Sequence, residues 1–369
     1  MTLVLIASYA PSFINFRKEF ILRIIDKGYN VVLLVPDFSS ELKMELNEMG
    51  AQTSSIYLKR SSISLFKELR CFFSIYFAVK SVSPDVILSY TIKPVIYGSI
   101  VARLCNIKKA CSLITGLGHS FLVESFKGRI LNRIVVNLYR FSLKKNYVIL
   151  FQNNDDCELF SDLKILKENQ KTDVVNGSGV NIDFYAPSPL PETPVVLLIA
   201  RLIKEKGIFE FIEAANRLSI KYPEVKFNIV GDFDDQPTSL RQKDFDRIVK
   251  TENISFLGAF SDVRQQISDS SIFVLPSYRE GTPRSVLEAM SMGRPIITTD
   301  VPGCRETVEN DYNGFLVEPY DSVLLEKAME KLINKSNLRA LMGKRSREIA
   351  IEKYDVYKVI NSMIETLDL

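Results

Sequence analysis

The sequence lacks the residues and patterns that define several common classes of protein. Its five cysteines are scattered over positions 71, 105, 111, 157 and 304, without C-x-x-C spacing. This distribution is typical of a reducing compartment and argues against a disulfide framework or a zinc site. No run of about 18 uncharged apolar residues occurs, so we expect no membrane-spanning helix. The first apolar segment carries no G-x-G-x-x-G, which argues against a NAD-dependent Rossmann enzyme.

Charge is distributed unevenly, although the net charge is only +3. Lys and Arg outnumber Asp and Glu by 23 to 16 in residues 1–190, whereas the acids prevail by 28 to 24 in residues 191–369. Residues 59–148 hold 15 basic and only 3 acidic residues. Halves of opposite charge in a chain of 369 residues predict two domains with different partners.

Apolar strands alternate with amphipathic helices along both halves of the chain. Residues 1–10 have no basic segment and a very short apolar run, which predicts a buried strand and not a signal peptide. The expected strands are Leu3–Ala7, Val31–Pro36, Val86–Ser89, Lys109–Ile114, Tyr147–Gln152, Val195–Ala200, Lys226–Val230, Ile254–Leu257, Ser271–Leu275, Ile296–Thr299 and Gly314–Val317. This alternation predicts an α/β protein with two tandem, doubly wound, Rossmann-like domains.

The segment Ala186–Pro194 contains four prolines and predicts the linker between these domains. We therefore expect an N-terminal domain at residues 1–187 and a C-terminal domain at residues 188–369, with a cleft between them. A helical stretch of roughly residues 323–369 closes the chain. Its last helix is expected to pack back on the N-terminal domain.

The most informative segment is 273–300, in which an apolar strand, a turn, a helix and a second apolar strand follow one another. The helix is expected to begin at Pro283, and two acids, Glu280 and Glu288, flank its start. In an open α/β sheet, ligands bind at the carboxyl ends of the strands. Backbone amides there suit a phosphate and carboxylates suit hydroxyls, so this segment predicts a site for a polyol that carries a diphosphate.

Ordered motifs in the C-terminal half resemble those of the retaining glycosyltransferases of family 4, which have the GT-B fold. Glu280 and Glu288 match the E-x7-E motif, and Ala200–Gly207 resembles the phosphate-binding strand end G-R-L-x-x-x-K-G, with alanine in place of its first glycine. Three further segments fit the family pattern: Val230–Asp232, Phe256–Gly258 and Asn313–Pro319.

The N-terminal half resembles a subgroup that builds capsule, O-antigen and lipid-linked oligosaccharides, through Ser89–Gly98 and Ile114–Phe121. It departs from the general family pattern at Ala10–Arg17, where many members carry Gly-Gly, and at Thr115-Gly116, where many carry His-Gly. The resemblance implies a retaining hexosyltransferase that moves a hexose or N-acetylhexosamine from a nucleotide-sugar, usually UDP-linked, to a polyprenyl-diphosphate-linked saccharide. A nucleotide-sugar epimerase or a phosphorylase on the same fold is the alternative.

The resemblance and the strand-end positions together assign the donor side. Arg201 and Lys206 are expected to meet the charge that develops on the departing diphosphate. Glu288 is the candidate for the ribose hydroxyls. Glu280 is the candidate for donor-sugar hydroxyls and for stabilising positive charge at the anomeric carbon, rather than a nucleophile as in retaining glycosidases. The donor-binding candidates are Arg201, Lys206, Gly231, Leu257, Gly281, Thr282, Pro283, Arg284, Ser285 and Glu288.

His119 is the only histidine and follows an apolar strand, so contact with a donor hydroxyl or the acceptor and a structural role are equally favoured. We count it, with Glu280, Arg201 and Lys206, among the catalytic candidates. The acidic turn Asp232–Asp235 imitates a metal-binding D-x-D motif, but we expect a solvated turn, no obligatory metal and no cofactor. The candidates on the acceptor side are Ser12, Asn15, Lys93, Thr115 and Gly116.

Basic and apolar residues interleave in two helical segments, 59–80 and 127–145. Basic amphipathic helices suit an anionic membrane surface, whereas core helices with solvated basic faces are the plainer alternative. The near absence of acids in residues 59–148 favours the membrane. No nucleic-acid motif is present. We therefore expect a cytoplasmic enzyme that associates peripherally with the inner face of the cell membrane.

Overall fold

The computed structural model describes residues 1–36, 38–59, 64–117, 126–233 and 238–369. The chain forms two compact units. The first unit comprises Met1–Ser178 together with Ile360–Leu369, and the second unit comprises Gly179–Val359. Each unit contains one parallel sheet covered by helices, as the alternation of strands and helices predicted.

The first unit has a seven-stranded sheet. Its strands are β1 (Thr2–Ile6), β2 (Asn30–Val35), β3 (Gln52–Ser55), β4 (Val86–Tyr90), β5 (Lys109–Ile114), β6 (Val148–Phe151) and β7 (Thr172–Val174). Its helices are α1 (Ser12–Asp26), α2 (Ser40–Glu48), α3 (Leu65–Val82), α4 (Ile92–Leu104), α5 (Phe126–Ser142) and α6 (Asn154–Asp162). The strand order β3-β2-β1-β4-β5-β6-β7 reverses direction between β1 and β4, which makes that pair the topological switch point.

The second unit repeats this plan with six strands. They are β8 (Val195–Ile199), β9 (Lys226–Val230), β10 (Ile254–Gly258), β11 (Ile272–Leu275), β12 (Ile296–Thr299) and β13 (Gly314–Val317). Its helices are α7 (Ile208–Lys221), α8 (Gln242–Ile248), α9 (Arg264–Ser268), α10 (Arg284–Ser291), α11 (Ser322–Ile333) and α12 (Ser336–Lys353). The order β10-β9-β8-β11-β12-β13 places the switch point between β8 and β11.

The central strands are buried on both faces, which is why their sequences are nearly continuous apolar runs. Each expected strand is present to within one residue at either end. Two further strands, β3 and β7, lie at the edges of the first sheet and were not expected. Their sequences, QTSS and TDV, are short and polar and carry no apolar pattern.

The first unit ends at Ser178, ahead of the proline-rich segment that predicted a linker. That segment is bound to the second unit, because the buried guanidinium of Arg294 donates hydrogen bonds to the carbonyl oxygen of Ser188 at 2.7 Å and to its hydroxyl at 2.7 Å. The segment by which the chain enters the second unit is hydrogen-bonded to the segment by which it leaves that unit. Val180 donates to the Tyr354 carbonyl oxygen at 2.7 Å and accepts from the Val356 amide at 3.0 Å.

The predicted closing helical stretch consists of three helices, α11, α12 and α13 (Val356–Leu367). The last residues of α13 and the residues after it belong to the first unit. There, Asp368 pairs with Lys109 at 2.8 Å, and the carbonyl oxygen of Thr366 accepts from Lys171 at 2.9 Å. These polar bonds attach the end of the chain to the amino ends of β5 and β7.

Candidate functional site

The carboxyl ends of β8 and β11 place two loops side by side in the second unit. Gly207 follows the first loop with φ +68°, and a Cβ there would clash with the carbonyl oxygen of Pro276 in the second. The Ser285 hydroxyl at the start of α10 donates to the Ile199 carbonyl oxygen at 3.0 Å. Glycine at 207 therefore permits the close approach that brings the candidate phosphate loop against the E-x7-E turn.

Lys206 and Glu280 are in direct contact. The Lys206 ammonium donates to Oε1 of Glu280, and the Ser277 hydroxyl donates to the same oxygen at 2.8 Å. Both charged side chains are largely buried, with exposed fractions of 18% and 13%. The sequence assigned the two residues separate tasks and did not predict their pairing. A lysine ammonium has three donors, so this pair leaves Lys206 capable of bonding phosphate oxygens as well.

The loop after β12 packs on the Glu280 turn. The Glu280 amide donates to the Pro302 carbonyl oxygen at 3.0 Å. Gly303 has φ +84°, and a Cβ there would clash with the carbonyl oxygen of Glu280. Burial, together with the nearby Glu280 charge, raises the pKa of the adjacent Cys304 thiol to about 12. The sequence analysis did not predict that this loop packs on the Glu280 turn. The glycine that follows Pro302 was the one indication of it in the sequence.

Glu288 lies on α10 and is buried. Burial raises the pKa of its carboxyl group, while the charge of Arg284 and a hydrogen bond from Tyr185 act in the opposite direction. Nε of Arg284 donates to Oε1 of Glu288 at 3.1 Å across one turn of the helix. Arg284 was a donor candidate, whereas Tyr185 was not recognised.

The turn before α10 contains the other predicted phosphate contacts, Gly281 and Thr282. Pro283 occupies the capping position with extended backbone, and the helix begins at Arg284. The sequence predicted that the helix begins at Pro283 itself, and it begins one residue later. The helix N-terminus lies at the carboxyl edge of the sheet, where its partial positive charge favours an anion.

Gly231 and Leu257 lie at the neighbouring strand ends of β9 and β10. A Cβ on Gly231 would clash with the carbonyl oxygen of Ala200, and the Gly231 amide donates to the Gly258 carbonyl oxygen at 3.0 Å. Leu257 is partly exposed, and Arg201 lies exposed after β8. The structure thus brings the donor candidates to one edge of one sheet.

The acceptor candidates follow strands β1, β4 and β5 of the first unit. Ser12 is buried and its hydroxyl pairs with that of Tyr90 at 2.9 Å, whereas Asn15 is exposed. Lys93 is bonded to Glu68 at 2.8 Å, so much of its charge is already neutralised. Thr115 and Gly116 are partly exposed after β5.

The lone histidine and part of the acidic turn were also singled out in the sequence. His119 lies outside the described residues, as do Asp234 and Asp235 of the acidic turn. Over the described ranges, no group of three or more His, Cys, Asp or Glu side chains is arranged to hold a metal ion.

Two doubly wound sheets in tandem, with phosphate-type loops at the switch point of the second, define a GT-B fold. Solved structures of other proteins have the same fold. HepE from Anabaena, in complex with UDP and glucose, superposes with a TM-score of 0.79 at 18% identity, covering 100% of this chain and 99% of that chain. Sucrose-phosphate synthase from Thermosynechococcus elongatus superposes with a TM-score of 0.83 at 17% identity, covering 99% and 98%.

Family models match both halves of the sequence. Residues 184–349 match Glycosyl transferases group 1, and residues 6–153 match Glycosyl transferase 4-like. The two models together span most of the chain, which is a glycosyltransferase.

Relatives cover nearly the whole length. The N,N'-diacetylbacillosaminyl-diphospho-undecaprenol alpha-1,3-N-acetylgalactosaminyltransferase of Campylobacter jejuni is 29% identical over 358 residues, covering 93% of this chain and 92% of the relative. The UDP-Gal:alpha-D-GlcNAc-diphosphoundecaprenol alpha-1,3-galactosyltransferase of Escherichia coli is 27% identical, covering 82% and 80%. The capsular polysaccharide glycosyltransferase CapM of Staphylococcus aureus is 25% identical, covering 91% and 90%.

Proposed function

We propose that the chain is a retaining glycosyltransferase that moves a hexose or N-acetylhexosamine from a UDP-sugar to a polyprenyl-diphosphate-linked saccharide. The product would serve bacterial surface polysaccharide synthesis. The observation that carries this proposal is the Lys206–Glu280 pair, held by Ser277 at the switch point of the second sheet and followed by buried Glu288. Transferases that act on diphosphoundecaprenol-linked sugars are among the relatives, which supports the choice of acceptor.

Each donor residue has a task that its surroundings support. Lys206, Arg201 and the amides at the α10 N-terminus stabilise the charge that appears when the bond between the anomeric carbon and the diphosphate breaks. Glu288 accepts hydrogen bonds from the ribose hydroxyls. Glu280 binds donor-sugar hydroxyls, because Lys206 and Ser277 already hold its Oε1. The acceptor hydroxyl then bonds to the anomeric carbon and its proton passes to the departing phosphate.

Retention is part of the proposal. A nucleophilic glutamate would have to form a bond from its carboxylate to the anomeric carbon and break that bond again in a second step. Attack from the face that the phosphate leaves needs no such step. The configuration of the product at the new glycosidic carbon, measured by NMR with an α-linked donor, decides this point: an inverted product would contradict the proposal.

We also propose peripheral association with an anionic membrane surface. Right-handed crossovers place α3, α4 and α5 on one face of the first sheet, and α3 and α5 both pack against α4. Large apolar side chains of both outer helices are exposed to solvent. They are Leu65, Phe66, Leu69, Phe73 and Phe77 on α3, and Ile130, Leu131, Ile134, Leu138 and Phe141 on α5.

Basic residues accompany these apolar side chains. Arg129 and Arg133 are exposed on α5, whereas Arg140 donates to the Leu163 carbonyl oxygen and so has a structural role as well. Exposed apolar residues beside cations suit the interface of an anionic bilayer, where each buried apolar side chain contributes about 1.5–3 kcal/mol. In the part of the chain that the structure describes, no helix is long and apolar enough to cross a membrane.

The test of the reaction is incubation of the protein with radiolabelled UDP-sugars, with and without a polyprenyl-diphosphate-linked sugar. Transfer of label to the lipid only when the acceptor is present supports the proposal. Release or isomerisation of the sugar without lipid labelling would instead support the epimerase or phosphorylase alternative. We expect activity to persist with EDTA, since we propose no obligatory metal and no cofactor.

A further inference from the structure

Tyr278 connects the turn after β11 with the candidate phosphate loop. It is buried, and its amide donates to the carbonyl oxygen of Glu205 at 2.9 Å. Its hydroxyl donates to Oε1 of Glu210 at 2.8 Å. Glu205 immediately precedes Lys206 in the loop. Glu210 lies in the first turn of α7, which begins after Gly207. The two hydrogen bonds of Tyr278 therefore hold the chain on both sides of Lys206.

The bond from the hydroxyl is the one that requires tyrosine, because any residue with an amide could form the other. Over the described residues it is also the one hydrogen bond that the Glu210 carboxylate accepts, since Oε2 is buried without a partner. Burial, and next the hydrogen bond to Glu210, raise the pKa of the Tyr278 hydroxyl, which therefore keeps the proton that it donates. The ring packs on that of Tyr320, with 4.0 Å between the ring centroids. Phenylalanine could pack in the same way, so what tyrosine adds is the bond to Glu210.

The neighbouring residue connects this turn to the reacting groups of the proposed site. Ser277 donates to Oε1 of Glu280 at 2.8 Å, and the Lys206 ammonium donates to the same oxygen. The position of that ammonium depends on how the loop after β8 lies against the turn after β11. Gly207 permits the close approach of the two, and Tyr278 fixes it by bonds before and after the lysine.

We infer that Tyr278 is a positioning residue for the Lys206–Glu280 pair. Through Glu210, its hydroxyl holds the start of α7, and with it Lys206, in place against the turn after β11. This inference rests on the proposed function, in which Lys206 meets the charge of the departing diphosphate. That charge increases as the bond to the sugar breaks, so a displaced ammonium costs more in the transition state than in the donor complex. Loss of the hydroxyl should therefore slow transfer and leave donor binding nearly unchanged.

The decisive variant is Tyr278→Phe, which removes the hydroxyl and keeps the ring. The rate of sugar transfer is measured in single turnovers, so that product release does not contribute, and the dissociation constant of the UDP-sugar is measured without acceptor. We expect the rate to fall by about tenfold and the dissociation constant to change by less than about threefold. A rate within about twofold of that of the unchanged protein overturns the inference, and so does a loss of donor binding that accounts for the slower transfer.

Tyr222→Phe is the matched control, because it removes a similar bond from the other end of the same helix. Tyr222 follows the last residue of α7, and its hydroxyl donates to Oε1 of Glu330 at 2.8 Å. The variant should lower the melting temperature about as much as Tyr278→Phe and leave the rate of transfer unchanged. Equal losses of rate in both variants would mean that general loosening of α7 is responsible, and the inference would fail.

Lys206→Ala shows whether Tyr278 acts through Lys206. In that background, Tyr278→Phe should lower the rate by less than about twofold, because the ammonium that the hydroxyl positions is gone. A further loss of about tenfold there would mean that the hydroxyl acts on another group, which contradicts the inference. Lys206→Ala alone tests the proposed function. If its rate equals that of the unchanged protein, the task of Lys206 and the inference fail together. If it is impaired and Tyr278→Phe is not, only the inference fails.

Glu210 provides a second approach that leaves Tyr278 in place. Glu210→Gln keeps an oxygen that can accept from the hydroxyl, and it should transfer sugar within about threefold of the unchanged rate. Glu210→Ala removes that acceptor and should reproduce the loss of about tenfold, which keeps the inference testable if Tyr278→Phe does not fold. An undiminished rate in Glu210→Ala would overturn it.

Discussion

Lys206 and Glu280, 74 residues apart in the sequence, share a hydrogen bond at the switch point of the second sheet. The pair joins the loop after β8 to the turn after β11, and Gly207 allows the two to touch. In the proposed function, this contact sets a cation for the leaving phosphate beside a carboxylate for the sugar. Such preorganisation lowers the cost of stabilising charge in the transition state.

Glu280→Ala should abolish sugar transfer while largely sparing UDP binding, because Glu280 contacts the sugar in our proposal and not the nucleotide. Transfer rates and UDP affinity are measured in parallel. Glu45→Ala, which breaks the exposed Lys18–Glu45 pair, is the control and should leave both unchanged. Activity of Glu280→Ala within about threefold of the unchanged protein would contradict the assignment.

Lys206→Ala should act on the diphosphate. We expect kcat/KM to fall by about 10²–10³, the usual effect of removing one preorganised donor from a developing anion. UDP should bind more weakly, whereas uridine, which has no phosphate, should bind as before. Equal weakening of UDP and uridine would indicate that the change disturbs the fold of the loop and not a phosphate contact.

Gly207→Ala should be strongly destabilising, because a Cβ at φ +68° is strained and would also clash with Pro276. Gly28→Ala provides the comparison, since Gly28 has φ +86° but open space around its Cα. Gly28→Ala should lose only the roughly 1–2 kcal/mol of left-handed strain. Chemical denaturation of both variants measures the difference, and equal losses would mean that the contact with Pro276 is unimportant.

Replacing Phe66, Phe73 and Phe77 of α3 with serine should weaken flotation with vesicles that contain anionic lipid. The matched control replaces Ile220 and Val323, which are exposed apolar residues of the second unit, and should float as the unchanged protein does. Arg129→Gln with Arg133→Gln should chiefly flatten the salt dependence. Turnover on a water-soluble acceptor should be unaffected in all these variants. Undiminished flotation of the α3 variant would rule out this face.

The cysteines should divide into two groups by reactivity. Burial raises the pKa of the Cys71, Cys111 and Cys304 thiols to about 12, so below that pH they stay protonated in the folded protein. Cys105 and Cys157 are partly exposed. A thiol reagent at pH 8 should label at most these two, and all five after denaturation. Rapid labelling of Cys304 in the native protein would mean that the loop over Glu280 opens readily.

The buried strands could be predicted from the sequence because parallel strands covered on both faces must be apolar, as Val195–Ile199 is. Edge strands β3 and β7 need no such sequence, and a polar four-residue segment such as Gln52–Ser55 gives no signal. The candidate donor residues could be proposed from their spacing along the strand ends. Which of these residues contact each other could not be predicted, because the hydrogen bond between Lys206 and Glu280 depends on the register of β8 against β11.

The hydrogen bonds of Tyr185 could not be predicted from the sequence either. It lies ahead of the first strand of its unit, one residue before the proline-rich segment Ala186–Pro194 that predicted a linker. The Tyr185 carbonyl oxygen accepts from Ser291 of α10 and from Arg347 of α12, and Arg347 also donates to the Ile182 carbonyl oxygen. Contacts of this kind join residues 106 positions apart and leave no local pattern.

The backbone bonds between Val180 and the residues Tyr354 and Val356 have a consequence for how the chain can be cut and rejoined. The second unit is one uninterrupted stretch whose two ends meet, which is the layout of a module inserted into a host. Residues 179–359 could thus be excised as a single cassette with adjacent termini. The cut after Val359 falls within α13, so that helix would be divided between the cassette and the host.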